Sequence, residues 1–327
     1  MTALVTGGTG FIGTHLIDVL LKTGYRVRCL AKDRMYADSF PQESVELVIG
    51  NVCDSLPWES IFDGVDYVFH LAGVTRAKRK KDYFRGNYYA TRHFLDVCRR
   101  YGRDVRKFIY VSSLAVAGPC RNGQPVNEQT PCLPISAYGW SKLLAEQEVL
   151  RYRDQFPVVI LRPCAVYGPR ERDFYAYMKM VKRGFRVLIG GRESLFSFLH
   201  VHDLANALVL AAEHPNSTGE TYYLGSEEPF STRELGETLA DVMGTRPPLC
   251  IRVPLWLTYT AGWVSQGIGW ILNKPVFLNT HRVKEMVQSV WSCSISKAKR
   301  DLGFMPLIGL REGLASTYAW YVEHAWL

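Results

Sequence analysis

The sequence contains no Cys-x-x-Cys pair, no internal repeat and no low-complexity linker. Its 8 cysteines (Cys29, Cys53, Cys98, Cys120, Cys132, Cys164, Cys250 and Cys293) are scattered along the chain. Neither a zinc site nor a redox dithiol fits that spacing, so no metal is expected. Charge of one sign is also thin on the ground. There are 39 Lys and Arg against 31 Asp and Glu, a net charge of +8, and the basic residues are dispersed apart from one run. That pattern argues against nucleic acid as a partner, while the positive balance favours small anionic groups such as phosphate-bearing cofactors or acidic substrates. Hydrophobic residues make up 47% and charged residues 21%, which excludes disordered and fibrous classes. The first apolar run starts at Met1, which leaves no room for a signal peptide, and reduced thiols then predict a cytoplasmic location.

What is present is an alternation of strand and helix patterns. Ala3–Thr6 reads as a strand and Phe11–Thr23 as a helix, with Phe11, Ile12, Leu16, Val19 and Leu20 on one face and Gly24 as its stop. Further strands are expected at 25–31, 46–49, 67–71, 108–112 and 158–161, and further helices near 88–101 and 137–156. Strand, helix, strand in series means parallel pairing through right-handed crossovers. The expected class is therefore α/β, a Rossmann doubly wound parallel sheet with a smaller C-terminal substrate-binding lobe. The domain built on this sheet is expected over 1–165, with 198–225 returning to it. The lobe takes 166–197 and 226–327.

Thr6-Gly7-Gly8-Thr9-Gly10-Phe11-Ile12-Gly13 follows the first strand and opens the first helix. Glycines there let the backbone turn tightly, approach a pyrophosphate, and present helix N-terminal amides to its charge. Tyr138-Gly139-Trp140-Ser141-Lys142 places a phenol and an ammonium four residues apart, on one helical face. A nearby ammonium is expected to draw the tyrosine pKa down from ~10 and make Tyr138 a general acid/base. Ser112-Ser113 ends the strand that precedes it, at the sheet edge where such folds hold ligands.

Together these motifs resemble the extended short-chain dehydrogenase/reductase family, the NAD-dependent epimerase/dehydratase superfamily, over nearly the whole chain. Within it the pattern resembles dihydroflavonol-reductase-like and 3β-hydroxysteroid-dehydrogenase-like members. The resemblance implies a catalytic set of Ser113, Tyr138 and Lys142. Ser113 orients the substrate oxygen, Tyr138 relays a proton, and Lys142 tunes the phenol and holds the nicotinamide ribose. It implies a cofactor site made of Gly7, Gly10, Phe11, Ile12, Gly13, Lys32, Asn51, Val52, Leu71, Ala72, Gly73, Asn87, Lys142, Pro163 and Val166. For Asn87 a helix-capping role is the alternative. An NAD enzyme ends its second strand with an acidic residue, whereas here that position is Ala31, followed by Lys32. NADP is therefore expected, with NAD kept open by Asp33.

Two departures bear on the substrate. Ala165 in Arg162-Pro163-Cys164-Ala165-Val166-Tyr167-Gly168-Pro169 stands where sugar-nucleotide enzymes carry Asn, and Phe196 stands where they carry Arg. The expected reaction is interconversion of a secondary alcohol and ketone on a hydrophobic sterol-, terpenoid- or acyl-like molecule. A nucleotide-sugar epimerase, dehydratase or 4-reductase is the alternative. A non-catalytic dinucleotide-binding sensor or structural subunit is the alternative of another class. A homodimer is implied by the resemblance. Residues 253–273 carry no charge, and Trp256, Trp263 and Trp270 recur at spacing seven, with Tyr259 between. This stripe reads as a buried face, a lid over an apolar substrate, or a helix in a membrane interface. The basic run Arg76-Ala77-Lys78-Arg79-Lys80-Lys81 reads as a solvated loop, a seat for an anionic substrate arm, or a peripheral contact with anionic lipid.

Overall fold

The computed structural model describes residues 1–32, 44–121, 123–272, 276 and 280–327, and of Trp270 and His281 only the backbone. Asp33 lies outside the described residues.

Apolar runs without polar alternation form the centre of the molecule. β1 (Thr2–Thr6), β2 (Arg26–Ala31), β3 (Val45–Ile49), β4 (Tyr67–His70), β5 (Lys107–Val111), β6 (Val158–Pro163) and β7 (Thr221–Leu224) make one sheet in the order β7-β6-β5-β4-β1-β2-β3. All of its pairings are parallel. Such strands are apolar on both sides because helices cover both faces. Alternate residues divide accordingly. Ala3, Val5, Phe69, Ile109, Val159 and Leu161 face one core with α1 (Phe11–Lys22), whereas Leu4, Val68, Phe108, Tyr110, Val158 and Ile160 face another with α2 (Ala90–Tyr101) and α3 (Ala137–Arg151). α4 (Val201–Glu213) leads into β7 and packs on α1.

Residues 167–181, 235–240 and 314–321 contribute a third, smaller core. The stretch 293–304 differs from the sequence expectation. The sequence pattern places it in the C-terminal lobe, but Cys293, Ile295, Ala298, Leu302 and Phe304 pack into the sheet's own core. The reason is local, since the helix Ser296–Leu302 lies against β7. The lobe side also carries a parallel strand pair, Phe185–Ile189 with Leu249–Val253. That pair leads into a helical hairpin of α5 (Leu255–Ile271) and α6 (Thr280–Met286).

Candidate functional site

The glycine loop divides its work. Gly7 has φ +73°, and a Cβ there would sit 2.7 Å from the Ala72 nitrogen, so only glycine lets β1 end this close to the end of β4. A Cβ on Gly13 would collide with the Gly7 carbonyl at 2.2 Å. Gly10 is different, because the sole neighbour of its Cβ position is the Gly7 oxygen at 3.2 Å. Gly10 is also the N-cap of α1, with no side chain capping the helix and no acid in the first turn. The Phe11 and Ile12 end of α1 is thus an uncapped, partly exposed helix N-terminus at the C-terminal edge of the sheet. A pyrophosphate fits such a place, since helix N-terminal amides and the helix dipole both favour an anion.

Leu71 and Ala72 are half-buried beside this loop and Gly73 is exposed. Asn51 closes a turn, its backbone N–H donating to Asp54 Oδ2 at 2.7 Å and its own Oδ1 accepting from the Cys53 N–H at 3.4 Å. Val52 turns its side chain into the core with Leu30 and Trp58, so only its backbone is left to face a ligand. Lys32 is exposed just past β2, and its charge and that of Arg85 both reach the Cys53 thiol. Pro163 is buried at the end of β6, and Val166 is half-buried in the strand Ala165–Tyr167.

The catalytic candidates come together at the ends of β5 and α3. Ser136 caps α3, its hydroxyl accepting from the Gly139 N–H at 3.0 Å. A Cβ on Gly139 would lie 2.4 Å from the Ala115 carbonyl oxygen. That close approach seats the loop after β5 against the first turn of α3, and so brings Ser113 to Tyr138. Ser113 Oγ accepts from the Ala115 N–H at 3.2 Å, and its side chain lies close enough to the Tyr138 phenol to influence its acidity.

The phenol's acidity is opposite to the sequence expectation. Burial pushes Tyr138 up to about 12, and the neighbouring Ser113 side chain, which favours the phenolate, offsets only part of that. Glu285, Arg282 and Tyr83 are the charges and partners that reach it besides. Lys142 does not act on it, because its ammonium donates elsewhere, to the Val111 carbonyl at 2.7 Å and to the Tyr110 hydroxyl at 3.2 Å. Burial in turn lowers Lys142 to about 8, opposed by the Glu146 carboxylate one helical turn along. Two buried groups of opposite type are both driven toward their neutral forms.

Asn87 is buried but caps no helix. It sits in a π-helical turn, Phe84–Tyr89, upstream of the expected helix start. Its amide Oδ1 accepts from the Val74 N–H at 2.6 Å, and its Nδ2 donates to the Val74 carbonyl at 3.1 Å and to Ser141 Oγ at 2.8 Å. Ser141 then donates to the Tyr138 carbonyl at 2.7 Å. Asn87 therefore ties the Gly73–Val74 loop to the tyrosine's helix. A π-turn interrupts the regular register of its helix, and such turns cluster at functional sites.

Several residues of this site escaped the sequence reading. Glu146 follows Lys142 at the helical spacing of four, so that signal was available. Ser141 stood unused inside the tyrosine–lysine motif. Tyr83, whose ring meets Tyr138 edge-on at 6.2 Å, has no sequence signal. Nor have Arg282 and Glu285 of α6, which only tertiary folding brings to Tyr138. The tryptophan stripe differs from one of its three readings: Trp256 and Trp263 are exposed, so the buried face is overturned for both.

Comparison with known proteins agrees with this geometry. The model of the NAD dependent epimerase/dehydratase family matches residues 3–225. The chain is 28% identical to a decarboxylating sterol-4-alpha-carboxylate 3-dehydrogenase of Saccharomyces cerevisiae, over 98% of each chain. It is also 28% identical to a 3 beta-hydroxysteroid dehydrogenase/Delta 5-->4-isomerase of Mycobacterium tuberculosis, covering 98% of this chain and 90% of that one. The UDP-glucuronic acid 4-epimerase of Bacillus cereus, solved with UDP-glucuronic acid and NAD, shares the fold with a TM-score of 0.79 at 24% identity, over 99% of this chain and 100% of that one. With a match over residues 3–225, a Rossmann sheet and a tyrosine–lysine helix beside an open glycine loop, the chain belongs to the NAD dependent epimerase/dehydratase family of enzymes.

Proposed function

We propose that this enzyme interconverts a secondary alcohol and a ketone on a hydrophobic substrate of sterol, terpenoid or acyl type, using NADP in preference to NAD. The observation that carries the reaction type is the placement of the Ser113 side chain beside the half-buried Tyr138 phenol at the sheet's C-terminal edge, with Lys142 anchored behind them. The nucleotide, when bound, supplies or accepts the hydride. Tyr138 holds the proton that moves to or from the substrate oxygen, and a phenol near 12 is fully protonated at neutral pH, so the proton is in place for reduction. Ser113 fixes the oxygen in line with it. Lys142 is anchored by Val111 and Tyr110 next to Gly73, and serves the ribose there. Gly10, Phe11 and Ile12 hold the pyrophosphate. Asn51, Val52 and Leu71–Gly73 line the nucleotide, Asn87 braces the loop, and Pro163 and Val166 close the nicotinamide end.

Lys32 and Arg85 together support a 2′-phosphate, since both cations face Cys53 beyond β2. An apolar substrate is supported by Ala165, exposed at the lobe, and by Phe196, whose ring lies 6.0 Å from that of Phe198. The named activities of the yeast and mycobacterial relatives, on sterol and steroid 3-alcohols, agree with that class. We further propose that residues 1–165 and 198–225 hold the nucleotide while the lobe shapes the substrate pocket, and that two copies pair through α2 and α3. The eight unpaired cysteines suit a reducing cytoplasm. No described helix is long and apolar enough to cross a membrane.

The test is a titration of nucleotide-stripped protein with NADPH and NADH, followed by turnover on sterol, terpenoid and hydroxyacyl alcohols. Tighter NADPH binding and turnover of one of these classes support the reading. A firmly retained NAD with no net oxidation or reduction points instead to internal redox cycling on a nucleotide sugar.

A further inference from the structure

Helix α5 is built inside out. Its inward side holds Thr258, Gly262 and Gly269, all buried, and Gln266, whose Oε1 accepts from the Thr280 N–H at 3.3 Å and the Thr280 hydroxyl at 2.8 Å. Its outward side shows Trp256 at 68% exposure, Trp263 at 69% and Ile271 at 85%, with Tyr259, Val264 and Ile268 among them. A water-facing helix carries the reverse pattern. The apolar surface continues beyond it. The Leu255 side chain abuts Gly190, at the end of the strand pair. In that pair the parallel register places Leu249 beside Phe185 and Ile251 beside Val187, and all four are exposed. Single exposed apolar residues are ordinary, but a connected patch of this kind marks an interaction surface.

Charge identifies what covers it. Residues 253–273 carry none, whereas the segments joined to α5 carry exposed cations. Arg252 precedes α5 and is exposed, as are Lys284 on α6 and Lys80 and Lys81 on the basic run. Arg76 and Arg282 both pair with Asp173, which fastens that run to α6, and α6 packs on α5. Indole rings with an apolar body and one N–H suit the headgroup level of a bilayer. A helix with glycines at 262, 267 and 269 that is not long and apolar enough to span suits the interface plane instead. We propose that α5, with the adjoining strand pair, seats this enzyme on the surface of a bilayer containing anionic lipid. The docking stands independently of the hydrophobic-substrate reading. It sets α6, whose Arg282 and Glu285 act on Tyr138, at the margin of the bilayer.

The experiment is flotation of the full chain with vesicles of phosphatidylcholine alone and of phosphatidylcholine doped with phosphatidylglycerol. The enzyme is expected to float with the anionic vesicles and to lose much of that binding in high salt. Its tryptophan emission is expected to shift to the blue and to be quenched by brominated acyl chains. Trp256→Ser with Trp263→Ser is expected to weaken vesicle binding roughly tenfold or more. Lys80→Gln and Lys81→Gln are expected to weaken it about fivefold each, on anionic vesicles only. NADPH titration of each variant shows that the fold is intact. The proposal is overturned if the wild type stays unbound with both vesicles, or if brominated lipid leaves its emission unquenched. It is equally overturned if the tryptophan pair variant floats like the wild type. It also falls if, without lipid, the wild type is a dimer that this variant turns into a monomer, for then the face belongs to a second copy.

Discussion

Replacing Lys142 with methionine is expected to stabilise the nucleotide-free enzyme at neutral pH and to destabilise it at alkaline pH. Lys142 is 5% exposed, and burial lowers its pKa from 10.5 to about 8. At about 1.36 kcal/mol per pH unit, folding the charged form costs about 3 kcal/mol. The sign follows from proton binding. Between about 8 and 10.5 the unfolded chain binds more protons at this site than the folded one, so stability rises with pH through that window and the full penalty is present below it. Methionine keeps most of the stem and carries no charge. It gives up the hydrogen bonds to the Val111 carbonyl and the Tyr110 hydroxyl, worth about 1 kcal/mol each. The net effect is a gain of about 1 kcal/mol at pH 7 and a loss of about 2 kcal/mol near pH 10.5.

Urea denaturation of both proteins, stripped of nucleotide, across pH 7 to 10.5 measures the difference directly. Other lysines and tyrosines titrate in both chains and cancel from it. A difference that stays flat with pH would show that Lys142 is not strained by burial. So would a methionine variant less stable by several kcal/mol at pH 7. With NADPH present the ranking at neutral pH is expected to invert, because the wild type alone gains the ribose contact and the stabilisation that ligand binding adds to the folded state.

Tyr138→Phe should leave NADPH affinity unchanged in a fluorescence titration while turnover falls by about 10²–10⁴, the usual worth of a positioned acid. Lys32→Ala should weaken NADPH binding by roughly 10-fold and leave NADH binding nearly untouched, as expected for one charge-assisted contact. Glu146→Gln should lower the urea midpoint by an amount equivalent to about 3–5 kcal/mol, because Arg162, held by both Glu146 oxygens at 3.0 and 2.7 Å, would be left buried without its counter-charge. Acid should unfold the protein well above pH 4, followed by circular dichroism. Burial lowers His15 and His200 to about 4 and His70 to about 3, so the unfolded chain takes up protons first as pH falls below 6.5 and stability drains away from there.

The sequence exposed those parts of the site whose geometry is local. A strand, a glycine loop and a helix are contiguous, so Gly7, Gly10 and Gly13 could be read from spacing. Tyr138 and Lys142 share one helical face for the same reason. The two-sided burial of the sheet was equally visible, because β1, β4, β5 and β6 lack polar alternation. What was not legible depends on distant chain. Nothing near Trp256 says whether its helix has a partner, and exposure is decided by how the lobe leaves α5 uncovered. Nothing near residue 293 says that 293–304 returns to the sheet.

The misjudged acidity of Tyr138 has a more general cause. Spacing four apart puts Lys142 and Tyr138 on one face of α3, but a shared face does not fix where a long side chain ends. Tyr138 sits in the first turn, beside Ser113, and its ring faces Tyr83. The lysine stem reaches toward β5, where the Val111 carbonyl and Tyr110 offer partners. With the ammonium so occupied, desolvation dominates both groups and moves the tyrosine up and the lysine down. The consequence for direction is physical. In this state Tyr138 is a protonated acid across the neutral range, suited to deliver a proton to a developing alkoxide. The reverse reaction needs the phenolate, so oxidation is expected to gain rate with rising pH while reduction holds steady. Initial rates in both directions across pH 6 to 10 test this, and an oxidation rate independent of pH would show that the phenol titrates well below about 12 in the working complex.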